Sequence, residues 1–206
     1  MNNVNQVLEQ AGAAALRGDY AKALSIIKPA LAKDRENFDL RLQYAKFLGD
    51  WADELPPVRK KKYKRESISI LKPLMKQLRG KPVETRFRLP LNYYYQSEDW
   101  RGMYAFGQRF ARVDKQRAIY AQGLAATSLA ESVSGASSRT WAAKAVRAWK
   151  KYDFQREKYY FPHYVFAKAL ALSGKREDAL KRLKIAARLG KRPITDWEFA
   201  DVLKLC

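Results

Sequence analysis

The chain has 206 residues, 47% of them hydrophobic, which is enough for one large domain or a short array of repeats. Its 41 basic and 21 acidic side chains give a formal net charge of +20, an excess that favours acidic or polyanionic partners. One cysteine and one histidine exclude an internal disulfide framework and the usual cysteine-rich or multi-histidine metal sites, so no metal or cofactor is predicted.

The hydrophobic pattern is helical along the whole chain. Apolar residues recur at spacings of three and four with no sustained alternation of period two, so the sequence predicts an all-α fold. Short breaks that contain Gly, Pro or Ser have the length of turns rather than of linkers. The predicted helices span residues 4–16, 19–33, 36–53, 57–79, 82–96, 98–113, 115–133, 137–152, 160–173, 175–189 and 195–204. Pro29 and Pro73 each remove a helical hydrogen bond, so both helices are predicted to bend there.

The predicted helices form pairs, and the pairs repeat. Residues 23–33 (ALSIIKPALAK) align with residues 67–77 (SISILKPLMKQ), and residues 18–34 align more loosely with residues 98–114. Residues 173–190 follow the same plan. A recurring helix pair is typical of an α-solenoid, in which each pair has an apolar face that only a neighbouring pair can cover.

These residues resemble the tetratricopeptide repeat, whose period is about 34 residues. The best match, residues 4–37, has small residues on its first helix, Gly18-Asp19-Tyr20 at the turn, and Ala23-Leu24 on its second helix. The last clear match, residues 160–190, repeats this plan with Gly174 at the turn. Residues 51–60 look like an insertion, and the third and fourth repeats lack the turn glycine.

The resemblance implies a right-handed superhelix of about five antiparallel helix pairs plus a C-terminal capping helix, in a single domain. Thr195 or Asp196 would cap the last helix, and the open end of the stack would be closed by Trp197, by Phe199 or Ala200, and by Leu203. First helices would line a concave groove, and second helices would form the outer face. The implied repeats and cap are residues 4–37, 38–81, 82–114, 115–153, 154–190 and 195–204.

The resemblance also implies a partner-binding groove. Arg88 and Asn92 lie one helical turn apart and resemble half of the carboxylate clamp by which some members hold a chaperone tail. Thr127, Ser128, Phe161 and Val165 occupy the remaining clamp positions and cannot complete it, so a more general peptide groove is expected. The competing interpretation is that its aromatic residues only pack between helices. The predicted groove residues are Arg88, Asn92, Tyr95, Glu131, Phe161, Tyr164 and Lys168.

A dense basic run opens the fourth predicted helix. Six of the seven residues from 59 to 65 are basic, and residues 57–79 hold nine basic and one acidic side chain. Such a run can neutralise phosphates of a nucleic acid or an anionic membrane surface. The competing interpretation is a solvated helix start that contributes only solubility. The predicted polyanion patch is Arg59, Lys60, Lys61, Lys62, Lys64 and Arg65.

The residues offer little for catalysis. His163 lies near the start of a predicted helix among aromatic residues, where a packing or surface role is expected rather than that of a base. The sequence has no strand that could precede a phosphate-binding loop, and the terminal Cys206 forms no persuasive nucleophile set with one histidine. The sequence therefore predicts a protein that is not an enzyme.

Two functions follow from these observations. The leading interpretation is a non-catalytic scaffold that binds a peptide or helix segment of another protein in the concave groove. The alternative is a nucleic-acid or anionic-surface binding module that uses the basic outer helices. No uncharged run approaches the roughly 18–20 residues of a membrane span, and residues 1–20 lack a secretory leader, so a cytoplasmic location is expected. A protein whose signal peptide had been removed would have the same sequence, and export is therefore the alternative.

Overall fold

A computed structural model describes residues 4–191, 193–195 and 199–206. Within these residues the chain is helical, with no strand, so the all-α prediction is confirmed. None of its described helices combines the length and the apolar character that crossing a bilayer requires. The chain divides into two compact units, Met1–Asp99 and Trp100–Cys206.

The first unit contains five α-helices within its described residues. Neighbours along the chain pack against one another, α1 on α2, α2 on α3, α3 on α4 and α4 on α5. A short 3₁₀ turn, Met75–Gln77, follows α4. The helices are α1 (Val4–Leu16), α2 (Tyr20–Lys33), α3 (Phe38–Asp53), α4 (Pro57–Leu74) and α5 (Val83–Gln96).

The second unit contains six α-helices within its described residues. Helix α7 packs against α6 and α8, α9 packs against α10, and the short α11 packs against α9. The helices are α6 (Trp100–Phe110), α7 (Lys115–Ser132), α8 (Gly135–Trp149), α9 (Tyr160–Leu172), α10 (Arg176–Gly190) and α11 (Ala200–Leu205).

Most predicted helices agree with the observed ones to within three residues, and two predictions need correction. The helix predicted over 57–79 ends at Leu74, next to Pro73, and continues only as the 3₁₀ turn. The capping helix predicted over 195–204 begins at Ala200, and Thr195 lies in a turn. Asp196 and Trp197, predicted to cap and cover that end, lie outside the described residues. The bends at Pro29 and Pro73 stay predictions.

The boundary between the units falls inside the predicted third repeat, residues 82–114, between its two helices. The helices of each unit pack in adjacent pairs. The single domain, the repeat boundaries and the right-handed superhelix all stay predictions.

Small side chains let paired helices approach closely in the first unit. Ala11 and Ala14 of α1 and Ala23 of α2 are completely or almost completely buried, at the positions that the resemblance singles out. Leu24 and Ile27 join them in the core. Because an alanine side chain occupies little space, the two backbones come near enough for the neighbouring large residues to interlock.

Three helices end in the same type of hydrogen-bonded turn. At the ends of α1 and α9, Gly18 and Gly174 adopt left-handed backbones with φ of 80° and 78°. Each glycine N–H donates to the carbonyl three residues earlier, and the next N–H donates to the carbonyl five residues earlier. Glu98, after α5, makes the same two bonds with φ of 55°. This is the Schellman ending, in which glycine is the preferred residue because it lacks a Cβ.

Candidate functional site

The basic run lies on the first turns of α4. Pro56 precedes the helix without a side-chain cap, and the first turn contains no acidic residue. Cations at a helix N-terminus oppose the helix dipole, so this arrangement costs free energy unless nearby carboxylates compensate it. Two carboxylates from outside α4 do so.

Asp53 and Glu98 compensate two members of the run. Lys60 Nζ lies 3.0 Å from Asp53 Oδ1, and Lys64 Nζ lies 3.3 Å from the same atom. Lys64 also contacts Glu98 Oε1 at 3.0 Å, and its side chain is only 12% exposed. The Lys64 ammonium group lies 6.0 Å from the centre of the Tyr95 ring. Lys64 is therefore a largely buried cation that lies between the carboxylates of Asp53 and Glu98.

The other four residues of the predicted patch have no carboxylate partner within the described part of the chain. Arg59, Lys61, Lys62 and Arg65 are exposed, and among the described residues none of them forms an ion pair. Lys62 lies 6.0 Å from the ring centre of its neighbour Tyr63. The structure thus divides the predicted patch into an inner pair that is internally neutralised and an outer set that presents its charge to solvent.

A pocket of about 390 Å³ lies between α4 and the C-terminal end of α5. Lys60, Lys61, Lys64 and Arg65 line it from α4, where their spacing places them on adjacent turns of one face. The apolar side chains of Pro57 and Ile68 lie along the same helix, and the opposite wall is Gln96, Ser97 and Glu98.

Three predicted groove residues belong to the first unit. Arg88 is 66% exposed and pairs with Glu84, one turn earlier on α5. Asn92 and Tyr95 are partly buried on the same helix. These residues follow one another at intervals of four and three, so they share one side of α5.

The four remaining predicted groove residues belong to the second unit, where they come together around Lys168. Its ammonium group lies 2.8 Å from Glu131 Oε1 and also contacts Asp201, and its side chain is 12% exposed. The same group lies 5.2 Å from the centre of the Tyr164 ring. Phe161 packs against Tyr164, with 6.2 Å between ring centres. Asp201 is not among the predicted groove residues, because it lies in the segment predicted only to cap the fold.

Electrostatics explain the Lys168 cluster. Burial alone would lower the pKa of Lys168, but hydrogen bonds to Asp201 and Glu131 outweigh it, so the pKa is raised and the lysine stays charged. Burial raises the pKa of Tyr164, and its hydroxyl donates to Asp201 Oδ2 at 2.8 Å. Phe199 covers the same ring at 5.9 Å. Internal contacts therefore hold both Tyr164 and Lys168, and their role in a groove stays a prediction.

His163 is buried, as the packing interpretation anticipates. Arg182 Nη1 lies 3.1 Å from His163 Nδ1, and because a guanidinium group only donates, Nδ1 accepts and the ring proton lies on Nε2. Among the described residues Nε2 has no hydrogen-bond partner. Burial, followed by the charge of Arg182, lowers the pKa of His163 to about 4. Phe154 packs against the ring at 4.6 Å.

The described part of the chain contains no group of three or more His, Cys, Asp or Glu side chains that could hold a metal ion. The polar clusters that do form pair a cation with carboxylates, as around Lys64 and Lys168. In both clusters the cation is already held by carboxylates of the same chain.

No protein-family model matches the sequence, and no curated protein matches it. The resemblance to tetratricopeptide repeats therefore rests on the residues themselves. The shared Schellman endings at Gly18, Glu98 and Gly174 are consistent with a repeated helix pair.

Proposed function

We propose that this protein is a non-catalytic helical-repeat scaffold of the tetratricopeptide-like kind, which binds an acidic peptide or helix segment of another protein. The observation that carries the proposal is the outer set of cations on α4, Arg59, Lys61, Lys62 and Arg65. These side chains are exposed and form no ion pair within the described residues, whereas Lys60 and Lys64 beside them are neutralised internally.

The helical architecture supports a binding role. Stacked helix pairs present broad, rigid surfaces on which side chains from several helices can contact one extended segment. Within that scaffold we propose that Arg88, Asn92 and Tyr95 of α5 contribute to the groove. Arg88 would offer charge-assisted hydrogen bonds to a carboxylate, and Tyr95 would offer a broad contact surface with a polar tip.

The direct test is affinity capture from a lysate of the source organism, with and without nuclease, followed by mass spectrometry. We expect a protein partner that survives nuclease treatment and that has an acidic segment. The double variant Arg88→Ala with Tyr95→Ala should lose this partner. Its matched control is Arg109→Ala with Tyr104→Ala on α6, which removes the same side-chain types from a helix of the other unit. Equal capture of the partner by both variants would show that Arg88 and Tyr95 of α5 do not contribute to binding.

A second candidate function is binding to a nucleic acid or an anionic surface, and the same exposed cations favour it. Phosphate neutralisation makes affinity fall steeply with salt, and each lost phosphate contact lowers the logarithmic salt slope by roughly one. Reversing the charge of Lys61 and Lys62 should therefore flatten the salt dependence of retention on heparin. Reversing Lys60 and Lys64 should have less effect, because Asp53 and Glu98 already hold them. Retention that is equal for all variants would rule this candidate out.

We further propose that the protein acts in the cytoplasm, with export as the alternative. Fractionation of source cells followed by immunoblotting tests it, and recovery outside the cytoplasm would favour export.

A further inference from the structure

The second unit contains a cavity of about 570 Å³, the Arg182 pocket, which is lined by the end of α8, the loop after it, α9 and α10. Its volume lies within the range of about 300–1,000 Å³ that is common for small-molecule sites. Phe166 and Leu170 in its lining are almost fully buried, whereas Tyr152, Phe154 and Ile185 are partly exposed to solvent. The pocket therefore offers a ligand accessible apolar and aromatic surface.

Arg182 adds a cation to this apolar lining. Its guanidinium carbon lies 4.4 Å from the ring centre of Phe154 and 5.0 Å from that of Phe166. The two rings are themselves stacked, with 5.5 Å between their centres and 13° between their planes. Contact with aromatic faces holds a guanidinium group in place, while its N–H groups point outward in its own plane. Those N–H groups are the ones that can bind an anion.

Arg182 forms no ion pair within the described residues. One of its five donors, on Nη1, lies 3.1 Å from His163 Nδ1. Asp178 lies one helical turn earlier on α10, at the spacing of an ion pair, but the two side chains do not form one. Burial lowers the pKa of Arg182. A partly buried cation without an anion is unfavourable, and Arg182 differs in this from Lys64 and Lys168, which contact carboxylates of the same chain.

The charged side chains of the Arg182 pocket leave an excess of one positive charge. Lys150, Lys181 and Arg182 line it together with two acidic residues, Asp153 and Asp178. Both lysines are exposed, and neither forms an ion pair in the part of the chain that the structure describes. This balance matches a singly charged carboxylate better than a phosphate monoester, whose charge at neutral pH is about −1.5 to −2.

We infer that the Arg182 pocket binds a small monocarboxylate with a flat apolar body, whose carboxylate accepts hydrogen bonds from Arg182 while its body lies against Phe154 and Ile185. The guanidinium fork matches the two oxygens of a carboxylate, and apolar surroundings strengthen such a pair. The inference goes beyond the proposed scaffold function and does not rest on it. The ligand is a small molecule, and the pocket contains no residue of the predicted groove or polyanion patch.

The test measures the binding of naphthylacetate to the full chain by isothermal titration calorimetry. Two further probes separate the contributions of its parts. Naphthylethanol has the same rings without the charge, and acetate has the carboxylate without the rings. Naphthylacetate should bind at least about tenfold more tightly than either probe, because only this compound uses both the cation and the apolar surface.

Arg182→Gln tests the central contact. The affinity for naphthylacetate should fall by about tenfold or more, as expected when a hydrogen-bonded charge partner is lost. The affinity for naphthylethanol should stay within about twofold of the wild type, because this probe has no charge for the guanidinium group to bind. A purely structural role for Arg182 would instead weaken both probes alike. Should Arg182→Gln fail to fold by circular dichroism, variants of exposed residues decide the question.

Two matched pairs of exposed residues on α10 provide that second measurement. Lys181→Gln should weaken naphthylacetate binding by about twofold to fivefold, and Asp178→Asn should strengthen it by about twofold, because both side chains line the pocket. Their controls are Lys184→Gln and Glu177→Gln, which make the same charge changes on exposed residues outside the lining. Each control should stay within about 1.5-fold of the wild type, because salt screens exposed charges at a distance.

Equal affinities for naphthylacetate and naphthylethanol, or equal losses for Lys181→Gln and Lys184→Gln, would overturn the inference. The absence of saturable naphthylacetate binding would overturn it as well. Tighter binding of naphthyl phosphate with the same pattern among the variants would identify a phosphate site instead of a carboxylate site. Tighter binding of the tripeptide glycyl-glycyl-phenylalanine would replace the small molecule by the C-terminal residue of a peptide.

Discussion

The indole ring of Trp149, at the end of α8, lies directly against the backbone of Gly123 in the middle of α7. A Cβ built at position 123 would lie 2.6 Å from Trp149 Cε2, closer than packed carbon atoms approach. The indole Nε1 donates to Thr127 Oγ1 at 3.3 Å, and that hydroxyl donates to the carbonyl of Gly123 at 2.8 Å. One glycine therefore makes space for the largest fully buried side chain of the second unit.

Gly123→Ala should destabilise the protein. The added methyl group has no room beside Trp149, and overpacking of this kind costs about 1–3 kcal/mol. Thermal unfolding followed by circular dichroism should show a midpoint several degrees lower than that of the wild type. Gly12→Ala is the matched control, because position 12 lies inside α1 with nothing within 4 Å of a new Cβ. That change should be neutral or stabilise by up to about 1 kcal/mol, and a loss at position 12 equal to that at 123 would contradict the steric explanation.

Stability should fall as the pH drops from about 6.5 towards 4. The pKa of His163 is lowered to about 4 in the folded protein by burial and by Arg182, whereas an unfolded histidine titrates near 6.5. Between these values the unfolded state binds the additional proton, so protonation favours unfolding. The contribution of His163 is complete above pH 6.5 and is lost on the way down to pH 4. The loss should be on the order of 1–3 kcal/mol, measured as denaturation midpoints across this range.

The variant His163→Phe isolates this effect. It preserves an aromatic ring beside Phe154 but cannot bind a proton, so its midpoint should change less between pH 7 and pH 4.5 than that of the wild type. The negative charge of Glu157 partly opposes the lowering of the His163 pKa, and the substitution leaves Glu157 itself unchanged. Identical pH profiles for the two proteins would show that His163 does not contribute.

Lys168→Met should destabilise the second unit. The lysine joins Glu131 of α7 to Asp201 of α11, and its loss leaves two neighbouring carboxylates without their shared cation. Breaking a largely buried ion-pair network costs about 3–5 kcal/mol, and the partial exposure of both carboxylates reduces this to about 1–3 kcal/mol. Arg88→Met is the matched control because its pair with Glu84 is exposed, so its cost should be below about 1 kcal/mol. Equal unfolding midpoints for both variants would favour a binding role for Lys168 over a structural one.

The turn after α5 should be more stable with glycine than with alanine at position 98. Both Glu98→Gly and Glu98→Ala remove the ion pair with Lys64, but only glycine adopts φ of 55° without a steric cost. The glycine variant should exceed the alanine variant in free energy of unfolding by about 1 kcal/mol. The reciprocal change Gly18→Ala, at the equivalent turn after α1, should cost a similar amount. Equal stability of the two variants at position 98 would argue against backbone strain there.

Local signals in the sequence were sufficient for the helices and for most of their ends. Apolar spacing depends only on neighbours three and four residues away, and turn residues such as Gly18 and Gly174 act within a few residues. The predicted helix over 57–79 extends too far, because the helical spacing of the sequence continues past Pro73. In the structure α4 ends at Leu74, next to this proline, which cannot donate a helical hydrogen bond. Alignment of residues 18–34 with 98–114 already pairs Gly18 with Glu98, which was the available signal for strain at that turn.

Only the tertiary structure decided which charges are compensated. The basic run reads as one uniform patch in the sequence, but Lys60 and Lys64 meet Asp53 and Glu98, while Lys61 projects into solvent. Lys64 and Glu98 are 34 residues apart, and no local pattern fixes that separation in space. The same holds for Lys168 and Asp201, whose contact depends on how α11 packs against α9. Helices form from short-range spacing, whereas ion pairs, buried amides and pockets depend on the relative placement of distant segments, which packing determines.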